Sequence, residues 1–227
     1  MEQGITVIIP AYNEEKRLDS TLTKVASYLK DNYQIIVVDD GSTDDTSKIA
    51  QSRVVRLIKN GRNRGKGYSV MRGIQEAKND LILVSDADLS TPIGMLERML
   101  PYIDEYDIAI GSRRMKESDV QESQSLLRVL SGKIFSFIVR RLLLPDIHDT
   151  QCGFKLFKKK AALEIAGRQT VMGFAFDVEM LYLADKLGYK IKEVPVVWVN
   201  DDNSKVKMIR DSWRMFKDLL KIKRVHG

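Results

Sequence analysis

Short, almost wholly apolar runs alternate with amphipathic stretches through the first half of the chain. "ITVIIP" (Ile5–Pro10), "QIIVVDD" (Gln34–Asp40), "VVRLIKN" (Val54–Asn60), "LILVSD" (Leu81–Asp86) and "DIAIGSR" (Asp107–Arg113) read as strands. Between them, Glu14–Lys30 places Leu18, Leu22, Val25 and Leu29 on one helical stripe, with Asn13 as its N-cap. Ser42 and Asp45 stand at capping-box spacing before a second helix, and Gly67–Asn79 predicts a third. Thr91 and Pro92 suit the cap and first position of a fourth, running through Leu100. Strands this uniformly apolar, each separated from the next by a helix, predict an α/β fold. Its central sheet is mainly parallel, Rossmann-like and flanked by helices on both faces.

From about Met115 the pattern changes. "SQSLLRVLSGKIFSFIVRRLLLP" is a long apolar and cationic helix ended by Pro145, and "GFKLFKK" is a short strand. "FDVEMLYLADKLG" is a helix stopped at Gly188, "YKIKEVPVVWV" a further strand, and "SKVKMIRDSWRMFKDLLKIKR" a basic final helix, with "KRVHG" expected to fray. The organisation is one domain, 1–227, with a first half (1–114) and an elaborated second half (115–227).

Composition narrows the chemistry. The 227 residues are 44% hydrophobic and 30% charged, enough for one large core. A lone Cys152 permits no intrachain disulfide and suits a reducing, cytoplasmic compartment. With only His148 and His226, a His/Cys zinc site is disfavoured, so a metal here would rely on oxygen ligands. The opening residues do not form a signal peptide, and no segment approaches the ~20 apolar residues of a spanning helix. The expectation is a soluble or peripheral protein. A net charge of +6 suggests phosphates, nucleic acid or a membrane surface as partners. Nucleic acid ranks lowest, because the cations gather at strand ends and late helices without an interleaved aromatic platform.

In such sheets ligands bind beyond the carboxyl ends of the strands. Those ends read "PAYNE", "DDGS", "KNGRNRGKG", "SDADLS" and "GSRR". Asp86 and Asp88, two residues apart in extended chain, leave on the same side, and their repulsion is relieved by a divalent cation. Mg²⁺ or Mn²⁺ held there would neutralise a diphosphate leaving group. Asp40 is placed to accept a base imide N–H or a ribose hydroxyl, whereas Asp44 and Asp45 suit the start of a helix. "NGRNRGKG" fails as a P-loop, since Asn60 stands at the first glycine position and Gly67 where Ser or Thr is needed; Arg64 and Lys66 can still meet phosphate. No G-x-G-x-x-G follows the first strand, which disfavours a dinucleotide oxidoreductase.

Taken in order, "PAYNEE", "VVDDGSTD", "NRGKG", "SDAD" and "GSRR" resemble glycosyltransferase family 2, inverting enzymes of GT-A fold that use nucleotide-sugars. "DTQCGFKLF", "FAFDVEML" and "VPVVWVNDDNSK" resemble the branch that glycosylates dolichyl phosphate, nearer its glucosyl than its mannosyl members. The likeness spans nearly the whole chain. It implies a nucleotide-sugar-binding first half and an acceptor-side second half, with a UDP-sugar donor and a polyprenyl or dolichyl phosphate acceptor. It places nucleotide contacts at Pro10, Ala11, Tyr12, Glu14, Val38 and Asp40, with Asp86, Ala87 and Asp88 as the metal motif. Arg113 and Lys205 should face phosphate, with Arg128 and Ser131 as further acceptor candidates. Ser90 stands where the mannosyl branch has Gln, and no Arg shortly precedes Lys205 in "WVNDDNSK"; both count against a GDP-mannose donor.

A lipid phosphate is already ionised near neutral pH, so positioning cations matter more than a base. Asp149 is the candidate base or acceptor-orienting carboxylate, and Trp198 reads as core. Leu126–Leu144 carries Lys133, Arg140 and Arg141 on one side of an otherwise apolar helix, which suits either a headgroup layer or a helix covering the sheet. Two rival readings stay open at this point: a nucleotidyltransferase releasing pyrophosphate, and a non-catalytic nucleotide-sugar-binding or membrane-partner module.

Overall fold

The structure is a computed structural model that describes residues 4–29, 31–121, 126–199 and 208–227, without the side chains of 126–128 and 208–212. Strands β1 (Ile5–Ala11), β2 (Tyr33–Asp39), β3 (Arg56–Lys59), β4 (Leu81–Val84) and β5 (Ile108–Ser112) fall on the five predicted runs. Among the described residues they join β7 (Lys155–Lys158) and β8 (Ile191–Pro195) in a seven-stranded sheet of order β3-β2-β1-β4-β7-β5-β8. All neighbours pair in parallel except β7, which runs antiparallel to both β4 and β5. A strand from the second half therefore sits inside the sheet of the first.

The two-residue period of each strand divides the core between two faces. Ile8, Ile36, Val38 and Ile82 point to one, where α3 (Lys66–Gln75), α5 (Leu126–Leu142), α6 (Lys159–Arg168), α7 (Phe176–Lys186) and α8 (Met208–His226) pack. Val7, Ile9, Val37 and Leu83 point to the other, under α1 (Leu18–Tyr28), α2 (Thr46–Gln51) and α4 (Leu96–Met99). Because the parallel strands share one direction, the loops after β1, β2, β3, β4 and β5 gather along one edge.

Four local expectations are corrected. Asn13 does not cap α1: it adopts φ +56° in a turn, its side chain accepts the Thr43 N–H at 2.8 Å, and the helix begins only at Leu18. Ser42 does not close a capping box; its hydroxyl accepts the Asn13 N–H at 2.9 Å, so the two loops are bonded to each other. Pro92 stays extended (ψ 142°) outside a 3₁₀ turn, Ile93–Met95, that leads into α4. The run Tyr189–Val199 divides at Val196 into β8, a sheet edge where Pro195 is tolerated, and β9 (Val197–Val199), which pairs with β6 (Asp119–Gln121).

The tail does not fray. Helix α8 runs to His226, whose Nε2 lies 2.8 Å from the fully buried Glu179 carboxylate. Glu179 also accepts the N–H groups of Thr170 and Val171 and the Thr170 hydroxyl, so the end of the chain is tied to the loop between α6 and α7. Lys221 donates to the Thr170 carbonyl at 2.8 Å.

Candidate active site

The edge formed by the strand ends carries three interlocked pieces. In the first, the β1 and β2 ends, Pro10 and Ala11 are buried and Tyr12 lies at the rim. Glu14 donates its N–H to Thr46 at 2.7 Å and pairs with Arg17 at 2.7 Å. Asp40, 4% exposed, accepts the Asn60 side chain at 2.8 Å and the backbone N–H groups of Arg64 and Gly65 at 3.0 and 2.8 Å. Its carboxylate thus shapes the glycine-rich loop. Val38 lies in the core, paired on both sides within the sheet, and is not presented to the edge. Arg64 folds onto Tyr68, its guanidinium 3.7 Å from the ring centre.

The second piece is the carboxylate pair with Lys66. The Lys66 ammonium stands 2.5 Å from Asp86 Oδ1. Burial works to lower the Lys66 pKa, but the charges of Asp86, Asp177 and Asp88 outweigh it and the net shift is upward. Asp88 moves up as well, through burial and then the like charge of Asp86, against the Ser90 N–H bond at 2.9 Å and the pull of Lys66. Ala87 is buried, and its carbonyl accepts the Thr21 hydroxyl at 2.7 Å. Gly153 passes so close beneath that a Cβ would fall 2.0 Å from Asp86 Oδ2. A side chain there would fill the space the carboxylate uses.

Sequence reasoning missed the support below this pair. Lys155, on β7, is fully buried and donates at 2.5 Å to both Asp177 and the Cys152 carbonyl. Asp177 is held up by burial and by Asp86, and drawn down by Lys155 and Lys66. Charges therefore alternate from Asp86 through Lys66 and Asp177 to Lys155. The signal lay in "FAFDVEML" and "GFKLF", where a charged residue interrupts each apolar run, but only the antiparallel insertion of β7 brings the two together.

In the third piece, Asp149 grips Arg113. Its carboxylate accepts the Arg113 N–H at 2.9 Å, Nε at 2.7 Å and Nη2 at 2.8 Å, a bidentate pair reinforced by backbone. Burial would raise the Asp149 pKa, but Arg113 overcomes it and brings the carboxyl down to about 2. Held there, and 2% exposed, Asp149 is poorly placed to take a proton; of its two expected roles, base or orienting carboxylate, its contacts are those of a carboxylate that holds Arg113. Glu193 in turn accepts the Asp149 N–H at 3.0 Å. Trp198 is buried as expected and lies under the guanidinium, 5.5 Å from it. Ser131, half-buried on α5, precedes Gly132, whose carbonyl accepts Arg114 Nη2 at 2.9 Å. Arg128 has no described side chain, and Lys205 lies outside the described residues.

The residues at this edge suit a metal whose coordination is shared between protein and diphosphate oxygens. Among the described residues no three His, Cys, Asp or Glu side chains form a cage. Asp86 and Asp88 offer carboxylates whose repulsion a cation relieves, leaving other coordination positions to diphosphate oxygens and water, the usual arrangement for Mg²⁺ and Mn²⁺.

A mainly parallel sheet with acidic, glycine-rich and cationic loops at its carboxyl edge is the arrangement of the GT-A fold of glycosyltransferases. The model for "Glycosyl transferase family 2" matches residues 6–165, and the chain belongs to that family. It is 38% identical over 240 residues to the dolichyl-phosphate beta-glucosyltransferase of Dictyostelium discoideum, covering 96% of this chain and 73% of that one. The enzyme of the same name from Homo sapiens is 37% identical over 244 residues, covering 96% and 74%. Among solved structures, glucosyl-3-phosphoglycerate synthase from Mycobacterium tuberculosis, in complex with Mn²⁺, UDP and glucosyl-3-phosphoglycerate, superposes with a TM-score of 0.74. It shares 16% identity and covers 99% of this chain and 81% of that one, a likeness of fold.

Proposed function

We propose that the protein transfers glucose, with inversion, from UDP-glucose to a polyprenyl or dolichyl phosphate. The observation that carries this reading is the meeting, at one sheet edge, of the Asp86–Asp88 pair and Lys66 with an Arg113 held rigid by Asp149. The names of its relatives, at 37–38% identity over 96% of the chain, supply the sugar and the acceptor.

A phosphate oxygen of the acceptor attacks the anomeric carbon as the bond to the UDP oxygen breaks on the opposite face. The acceptor is anionic beforehand, so the step needs no proton acceptor. This agrees with an Asp149 brought down to about 2 and turned toward Arg113. Arg113 supplies a planar, fixed cation against the acceptor phosphate, with Arg128, Ser131 and Lys205 as further acceptor contacts. Asp86 and Asp88 would hold Mg²⁺ or Mn²⁺, which when bound offsets the charge growing on the departing diphosphate. Lys66 and Arg64 face that same diphosphate. Pro10, Ala11, Tyr12 and Glu14 border the nucleoside, and Asp40 acts on it through the loop it shapes.

The acceptor side offers a surface for a bilayer. On α5, Leu130, Ile134 and Phe137 form one exposed stripe beside exposed Lys133, Arg140 and Arg141, while Val139 on the opposite face, and Leu143 just past the helix end, are buried. One face of this helix covers the sheet, and the exposed face is the one assigned here to a headgroup layer. On α8, which packs against α5, Trp213, Leu220 and Val225 are exposed beside Lys217, Lys223 and Arg224. Apolar side chains interleaved with cations suit an anionic headgroup layer. No described helix is long and apolar enough to cross a membrane. Peripheral attachment at the cytoplasmic face fits this surface and the lone, buried Cys152.

Calorimetric titration with UDP tests the donor side. Binding should be clearly tighter with Mn²⁺ than with EDTA, and GDP should bind more weakly than UDP. Equal affinity with and without metal, or a preference for GDP, would count against the reading.

A further inference from the structure

Lys66 is not on the carboxylate edge by accident of a long side chain. It sits between Gly65, in a left-handed turn at φ +104°, and Gly67. At Gly65 a Cβ would meet the Met172 carbonyl at 2.2 Å, and at Gly67 it would meet Phe176 Cβ at 2.5 Å. The Tyr68 N–H bonds the Met172 carbonyl at 3.3 Å, and Gln169 donates to the Gly67 carbonyl at 3.0 Å. Asp40 fixes the other side of the turn through the Gly65 N–H. The backbone bearing Lys66 is thus clamped from two directions, and its ammonium is delivered to Asp86, with Asp177 and Asp88 near enough to add to the attraction. A fixed monovalent cation occupies the carboxylate that a divalent ion would use.

We propose that Lys66 is a built-in counter-ion that holds Asp86 in the donor-free enzyme and exchanges with the incoming metal, moving its ammonium to the donor diphosphate. The proposal rests on the reading of Asp86 and Asp88 as metal ligands and adds to it an order of events. Free metal competes with Lys66 and binds weakly. Metal arriving with a diphosphate binds well, because the anion gives the displaced ammonium a new partner. The exchange guards against idle metal loading and couples metal affinity to the donor.

Two measurements test it. Paramagnetic resonance of Mn²⁺ alone, with no nucleotide, compares wild type with Lys66→Gln. The variant should bind Mn²⁺ at least about tenfold more tightly, since one neighbouring unit charge moves carboxylate affinities by about that much. The same variant should bind UDP more weakly, an opposite sign that a general loss of structure does not produce. Equal or weaker Mn²⁺ binding by the variant would overturn the proposal. The second measurement needs no variant and decides the matter if Lys66→Gln does not fold. Limited acetylation of wild-type protein, read at Lys66 by mass spectrometry, should rise when Mn²⁺ is added alone and fall again with Mn²⁺ and UDP together. Reactivity indifferent to Mn²⁺ would overturn it. If Asp86→Asn instead bound Mn²⁺ in the presence of UDP as well as wild type does, the metal assignment beneath the proposal would be the part that failed.

Discussion

Replacing Asp88 by Asn is expected to reduce sugar transfer by roughly a thousandfold, the rate equivalent of about 4 kcal/mol of lost transition-state stabilisation. The fold should survive unharmed. Asp88 carries a pKa raised by burial and by the charge of Asp86 despite the nearby Lys66 ammonium, so without a metal its ionised form opposes folding. The sign follows from linkage: a carboxyl whose folded pKa lies above its unfolded value weakens the fold once it ionises. Asparagine removes that penalty and keeps an oxygen for the Ser90 N–H. The melting temperature of the variant in EDTA should equal or exceed that of wild type, while turnover collapses. Turnover near wild type would refute the assignment, and a lower melting temperature would contradict the electrostatic account of the pair.

Asp149→Asn should behave in the opposite way, losing stability as well as activity. The carboxyl is buried and drawn from an ordinary 3.8 to about 2, mainly by Arg113 acting against burial. That depression corresponds to about 2 kcal/mol of stability at neutral pH, and a guanidinium left without its buried partner raises the cost to about 3 kcal/mol. A depressed acid gives its full contribution above its unfolded pKa and loses it as pH falls through the folded one. The stability gap between wild type and variant should therefore be constant above about pH 4 and narrow toward pH 2, as chemical denaturation across that range would show. Kinetically, a guanidinium free to turn should raise the KM for acceptor more than the KM for donor. A pH-independent stability gap, or an unchanged acceptor KM, would remove Asp149 from the positioning role.

The contrast between these two aspartates shows where the sequence was readable. Asp86 and Asp88 follow the four buried residues of β4, so the strand end announces them, but the extended chain expected there is corrected: β4 stops at Val84 and a turn closed by the Leu89 N–H on the Asp86 carbonyl brings the two together. Asp149 stands in a loop, and its partner lies 36 residues away. Its role depends on β5 and the segment before β7 being brought side by side, which no local pattern encodes. The same holds for Lys155 and Asp177, joined by a strand inserted against the direction of its neighbours. Strands β1, β2 and β4 were legible because their residues are mostly buried and largely β-branched or leucine. Helix α6 went unread because its buried residues, Ala161, Ala162, Ile165 and Ala166, are mostly small and follow the β7 strand without a break. At the tail, polar composition suggested fraying, yet one buried carboxylate, Glu179, is enough to hold His226.

The loop corrections share a physical origin. Asn13 and Ser42 would serve as helix caps in isolation, but the β1 and β2 ends lie next to each other in the sheet. The nearest orphan N–H for each side chain therefore belongs to the other loop. The result is a stiffened border at the β1 and β2 ends of the edge.

Purified protein with Mg²⁺ or Mn²⁺ and a short polyprenyl phosphate should be offered UDP-glucose, other UDP-sugars and GDP-mannose together, with products identified by mass spectrometry. The expected product is a glucosyl phosphoprenol, formed only with metal and accompanied by UDP. Pyrophosphate release, a mannosyl product from GDP-mannose, or UDP release with no lipid product would contradict it.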